Sequence, residues 1–193
     1  MAIRKELSSN LFEKMYDDLG IRLPDLGCVM LDIMPSIELI KIKNELKDED
    51  YFYYSKNKDH WWIDGFVACK TPHVTLLYGL IGPAEMYKPY IDQVLDGWSI
   101  KEVEVEKIGY FDSPYDDEKY KCIVAYIKIT PNLLEGHQRL EFLPHINTFP
   151  GYKAHFTLAY VKDDKVGIKC IDTFSKLVGK KLNIKEKLNL GKK

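Results

Sequence analysis

Two stretches decide the reading: Pro72-His73-Val74-Thr75-Leu76-Leu77-Tyr78-Gly79 and Ala154-His155-Phe156-Thr157-Leu158-Ala159-Tyr160-Val161. Each carries His-x-Thr-Leu-x-Tyr in a run of β-formers. Thr71-Pro72 forces an extended approach to the first, and Gly79 and Gly82-Pro83 end it. Side chains alternate along a strand. Strict alternation puts His73, Thr75 and Leu77 on one face and Val74, Leu76 and Tyr78 on the other. In the second copy His155, Thr157 and Ala159 oppose Phe156, Leu158 and Tyr160. The bulky set is expected to pack against helices, with Tyr78 and Tyr160 in that packing, leaving the His and Thr of each copy towards a groove.

The chain holds five histidines and six threonines in 193 residues. Two His-x-Thr triplets would arise by accident in about one such chain in a hundred, and the shared Leu and Tyr make it rarer. The pairing has a chemical sense. A phosphodiester has its nucleophile and leaving group on opposite sides of phosphorus. A neutral imidazole on one side takes the proton of the nucleophile, and an imidazolium on the other protonates the leaving oxygen. Each Thr hydroxyl, two residues on, can hydrogen-bond a non-bridging oxygen. This chemistry needs no metal, and zinc spacings such as HExxH are absent from the sequence.

Outward from the motifs, Cys28 to Met34 is a buried strand ending at Pro35, after a turn at Asp25-Leu26-Gly27. Residues 37–47 fit a helix or a twisted strand. The aromatic segment 48–65 reads as a loop, and 84–96 as a helix that Pro89 kinks or shortens. Residues 101–108 alternate strictly and pair with 120–129 as a hairpin around the turn at 112–119. A helix is expected from Leu133 to about Asn147, a strand over 152–164, and a last strand in Lys181 to Leu190. An amphipathic helix over residues 3–19 precedes all of these. The order predicts a single α+β domain over 1–193.

Length and composition agree: 46% hydrophobic and 30% charged residues describe an ordinary globular chain that can bury a core. The N-terminal residues lack the apolar stretch of a secretory signal, so a cytoplasmic location is the expectation, the host cytoplasm if the chain is phage-encoded. No membrane partner is expected. With 28 Lys+Arg against 29 Asp+Glu, and only Arg4, Arg22 and Arg139 as arginines, nothing requires a long nucleic acid. Cys28, Cys69, Cys122 and Cys170 form no CxxC pair and read as small buried hydrophobes.

The two motifs resemble those of the 2H phosphoesterase superfamily, and the resemblance runs from about Cys28 to Asp163. It implies two pseudo-symmetric lobes of antiparallel sheet with helices outside and a central groove. It also implies that His73 and His155 are the acid/base pair, that Thr75 and Thr157 hold the phosphate, and that no metal or cofactor takes part. The RNA-end branch of the superfamily often has an arginine soon after the second motif, where this chain has Leu158-Ala159-Tyr160-Val161. The form HVTLLYGL resembles the phage anti-CBASS nucleases, which degrade cyclic oligonucleotide signals. The leading expectation is therefore cleavage of a 3′-5′ bond in a cyclic oligonucleotide. The alternatives are an RNA 2′,3′-cyclic phosphate phosphodiesterase of the 2′-5′ RNA ligase-like kind, and a nucleotide-binding module without turnover. Lys153 shares the parity of His155, and Trp61, Trp62, Tyr110 and Tyr115, with Phe111, are candidates to meet a phosphate or stack on a base. His60, His137 and His145 lack a partner motif and read as surface or capping residues.

Overall fold

The computed structural model describes residues 26–45, 72–112, 120–146, 151–162 and 165–192. The expected helix at 3–19, the aromatic segment with Trp61 and Trp62, His60, Cys69, and Tyr115 in the 112–119 turn lie outside the described residues.

The elements follow in the order β1 (Leu26–Asp32), α1 (Ile37–Asn44), β2 (His73–Ile81), a 3-10 turn (Ala84–Tyr87), α2 (Lys88–Val94), β3 (Glu102–Asp112), β4 (Tyr120–Ile127), α3 (Pro131–Leu140), β5 (His155–Lys162), α4 (Lys165–Phe174), a second 3-10 turn (Ser175–Leu177), β6 (Lys181–Asn183) and β7 (Asn189–Lys192). They build two antiparallel sheets, β2-β1-β7 and β5-β4-β3-β6. Each motif strand is an edge strand, and the two edges pack against each other. One continuous core, with Val29, Leu31, Leu76, Ile123, Phe156 and Leu158 among its members, serves both sheets. This is the α+β, two-lobed arrangement that the motifs implied.

Local chemistry explains most boundaries. Pro89 falls in the first turn of α2, where its missing N–H is no loss. Lys88 and Asp92, four apart, pair at 2.6 Å across that helix. Thr130 caps α3, its Oγ1 accepting from the Leu133 N–H at 3.2 Å. Of the ambiguous segment at 37–47, Ile37–Asn44 form a helix, α1.

Several expectations need correction. Leu26 and Gly27 belong to β1 and not to a turn. Gly27 is there for close approach: a Cβ would lie 2.6 Å from the Gly82 carbonyl oxygen and the Ala84 nitrogen. α3 ends at Leu140, short of Asn147, because the residue before Pro144 is steered away from helical geometry. Residues 144–146 instead run beside β2, where the Ile81 N–H donates to the Pro144 carbonyl at 3.3 Å and the Ile146 N–H to the Gly79 carbonyl at 2.8 Å. α4 was not expected, although Cys170, Phe174 and Leu177 recur at helical spacing and are fully buried. The expected last strand is two. β6 completes one sheet beside β3 and β7 the other beside β1, so the tail crosses between the lobes. Its crossing is tied to β1 by the Lys185 N–H, which donates to the Asp32 carbonyl at 2.9 Å.

Candidate active site

The two motif strands share one register. In the first lobe Asp32, Met30 and Cys28 of β1 stand opposite His73, Thr75 and Tyr78 of β2. In the second, Tyr126, Val124 and Cys122 of β4 stand opposite His155, Thr157 and Tyr160 of β5. In both lobes the residue after the Thr, Leu76 or Leu158, is an extra residue facing no partner of its own, a β-bulge. The paired strands therefore match position by position, bulge included.

That bulge corrects the strict alternation. It lets two successive residues face the core: Leu76 and Leu77 in one lobe, Leu158 and Ala159 in the other, all buried in it. The residue after that pair therefore changes face, so Tyr78 and Tyr160 lie with the His and Thr, half-buried, and not in the apolar packing. Gly79 makes a second irregularity in β2. Its φ of +94° and the Ile146 carbonyl beside its Cα leave no room for a side chain.

His155 is oriented by its own strand. Its Nδ1 lies 2.7 Å from the Lys153 carbonyl oxygen. A carbonyl only accepts, so Nδ1 carries the proton in this contact. The Phe111 ring meets the imidazole edge-on at 5.1 Å between centroids, and the Tyr126 ring lies at 6.3 Å. The Thr157 hydroxyl has the Cys122 sulfur 3.8 Å away.

His73 has a different neighbourhood. Its cross-strand partner Asp32 is a buried carboxylate, 9% exposed. Asp32 accepts from Asn189 Nδ2 at 2.8 Å and from Lys185 Nζ at 3.2 Å, both from the tail. The carbonyls that follow His73 are also held from outside the sheet. The Tyr152 hydroxyl donates to the Thr75 carbonyl at 3.1 Å, and His137 Nδ1 donates to the Leu76 carbonyl at 2.6 Å. The two donors stack, ring centroids 4.0 Å apart. Burial pushes the Tyr152 phenol well above its ordinary range, so it stays a donor in alkaline solution. His137 is thus no surface residue: it fastens α3 to the first motif, with the Glu141 carboxylate 3.5 Å from its Nε2. His145 Nδ1 donates to the Leu143 carbonyl at 2.8 Å, within its own segment.

Of the other candidates, Lys153 is exposed just before β5. Tyr110 takes the face of β3 opposite Phe111, with Lys121 Nζ 4.1 Å from its ring centre. Phe111 is the aromatic residue of that pair that reaches a motif histidine. Tyr152 and His137 were missed as site residues, because no spacing in the sequence ties either to Thr75 or Leu76. Among the described residues no group of three or more His, Cys, Asp or Glu is placed to hold a metal ion, and no helix is long and apolar enough to cross a membrane.

No protein-family model and no curated protein matches the chain. Among solved structures, Kluyveromyces marxianus Usb1 with uridine monophosphate superposes with a TM-score of 0.50 at 12% identity, covering 86% of this chain and 97% of that one. A second structure of Kluyveromyces marxianus Usb1 covers the same shares at 12% identity, with a TM-score of 0.49. The likeness to the nucleotide-bound structure is one of fold: this chain has the two curled antiparallel sheets, with few helices, of the Usb1 fold.

Proposed function

We propose that the chain is a metal-independent phosphodiesterase of the two-histidine type acting on RNA ends, with His73 and His155 as its acid/base pair and Thr75 and Thr157 as its phosphate ligands. One observation carries this reading: both His-x-Thr pairs occupy the same register in two lobes, on strands that pack edge to edge. A structural role for these residues would not require a matched bulge in both strands. The fold neighbour solved with uridine monophosphate favours an RNA end over the cyclic oligonucleotide that the motif's form implied.

The chemistry uses only groups described above. At an internal 3′-5′ linkage, one histidine takes the proton of the adjacent 2′-hydroxyl, whose oxygen attacks phosphorus. The other gives its proton to the departing 5′-oxygen. The products are a 2′,3′-cyclic phosphate and a free 5′-hydroxyl. With a 2′,3′-cyclic phosphate as substrate, water is the nucleophile and a ring oxygen leaves. The Thr75 and Thr157 hydroxyls hydrogen-bond the non-bridging oxygens as charge gathers there.

The test is a substrate panel read by product mass: oligouridylates, oligoribonucleotides ending in 2′,3′-cyclic phosphate, and cyclic di- and trinucleotides, each with and without EDTA. Cleavage of the RNA substrates, unaffected by EDTA and lost in His73→Ala and His155→Ala, is the expected result. Cleavage of the cyclic oligonucleotides alone would restore the first expectation. Tight binding without any product would favour the non-catalytic module.

A further inference from the structure

Beside the second motif lies a hollow of ≈ 290 Å³ whose lining includes Glu106, Lys107, Tyr126, Lys153 and Ala154. Neither motif histidine lines it. It opens next to His155, whose neighbour Ala154 and cross-strand partner Tyr126 form part of its wall. Lys107, Tyr126 and His155 stand in register across β3, β4 and β5. Strand spacing then puts the backbones of Lys107 and His155 about 10 Å apart. Lys107 Nζ sits 5.0 Å from the centre of the Tyr126 ring, so the aromatic face steadies a side chain that would otherwise sample many rotamers. Lys153 also lines the hollow, two residues before His155, and its carbonyl orients that imidazole.

Two ammonium groups therefore border one concave site against a single carboxylate, Glu106. The floor between them is apolar or aromatic. Thr157 already provides a ligand for the reacting phosphate, and no step of the chemistry needs either lysine.

We infer that Lys107 and Lys153 bind a second phosphate, that of the nucleotide flanking the scissile bond, so that the substrate is an oligonucleotide with a phosphate on each side of one nucleoside and not a mononucleotide cyclic phosphate. This rests on the phosphodiesterase reading and narrows its substrate class. A phosphate held between two ammonium groups gains charge-assisted hydrogen bonds. A substrate without it leaves the hollow to water.

The test compares UpU with pUpU and UpUp in turnover, and dTpdT with pdTpdT and dTpdTp in calorimetric binding. The deoxy compounds lack the attacking 2′-hydroxyl. At low salt, one phosphorylated form should exceed its unphosphorylated parent by about tenfold in both kcat/KM and affinity. The gain should shrink as salt is raised. It should fall below about threefold in the Lys107→Ala/Lys153→Ala double variant, and rise in Glu106→Gln as the competing charge is removed. No gain from either terminal phosphate, or a gain that survives in the double variant, overturns the inference. If no ribonucleotide is turned over, the phosphodiesterase reading fails, and the binding arm still decides whether the second phosphate is recognised.

Discussion

The first and second lobes carry one backbone plan and two kinds of surroundings. Position for position, Asp32-Met30-Cys28 against His73-Thr75-Tyr78 matches Tyr126-Val124-Cys122 against His155-Thr157-Tyr160, with a bulge at Leu76 and again at Leu158. The neighbours diverge. His73 faces a carboxylate that the tail clamps through Lys185 and Asn189. His155 faces Tyr126 and Phe111, with two lysines on the hollow beyond. The matched part is the backbone frame that sets each His-x-Thr pair in the same register. The unmatched part is the side-chain environment, charged and hydrogen-bonded around His73 and aromatic around His155. The lobes also differ in support: the first motif is held from outside its sheet by Tyr152 and His137, whereas the imidazole of the second is oriented by its own strand through Lys153.

The sharpest way to break the equivalence of the lobes is to remove one histidine at a time. His73→Ala and His155→Ala should each lower kcat by about 10²–10⁴-fold, the range of a positioned acid or base. The kcat/KM profile of the parent should be bell-shaped in pH. A variant in either lobe that keeps full turnover would reduce the repeat to architecture. The threonines come next. Thr75→Val and Thr157→Val should each cost about tenfold to a hundredfold in kcat, equivalent to a hydrogen bond to a charged oxygen of about 1.5–3 kcal/mol. A large loss at one threonine and none at the other would show that a single lobe holds the phosphate.

Tyr152→Phe sharpens the difference in support. It removes only the hydroxyl that donates to the Thr75 carbonyl. Leaving that carbonyl without its donor should cost about 1–3 kcal/mol of stability in urea unfolding. The pH sense follows from the raised phenol: its contribution is complete below the ordinary value of 10.0 and declines as the pH climbs above it. The variant should therefore lose less stability than the parent between neutral and strongly alkaline solution, and equal slopes would refute the buried-phenol account. The smallest effect is expected from Asp32→Asn, which keeps the shape but weakens the hold on Lys185. About 1 kcal/mol in the same unfolding assay is expected, because the lysine is part-exposed and solvent screens the pair.

Much of this was legible along the chain. The repeated His-x-Thr-Leu-x-Tyr marked two strands, their alternation aimed the His and Thr together, and turn and proline signals placed β2, β3 and β4 within a few residues. The misses share a cause. Tyr78 and Tyr160 were assigned to the wrong face because a bulge depends on the partner strand, and Leu76 and Leu158 look like any other strand residues. The tail Lys181 to Leu190 alternates as one strand would, yet splits because β3 and β1 each lack a neighbour on one side. His137 looked isolated because its partners, Leu76 and Tyr152, are brought to it only by packing.

By itself the sequence determined that two like strands each present an imidazole and a hydroxyl on one face, since alternation is a local consequence of extended backbone and holds as far as the threonine. The tertiary structure alone decided what surrounds each imidazole: a clamped carboxylate for His73, aromatic rings and a lysine-lined hollow for His155. Register, bulges and the meeting of distant segments are set by which strands pair and how the core closes, and no local periodicity encodes them.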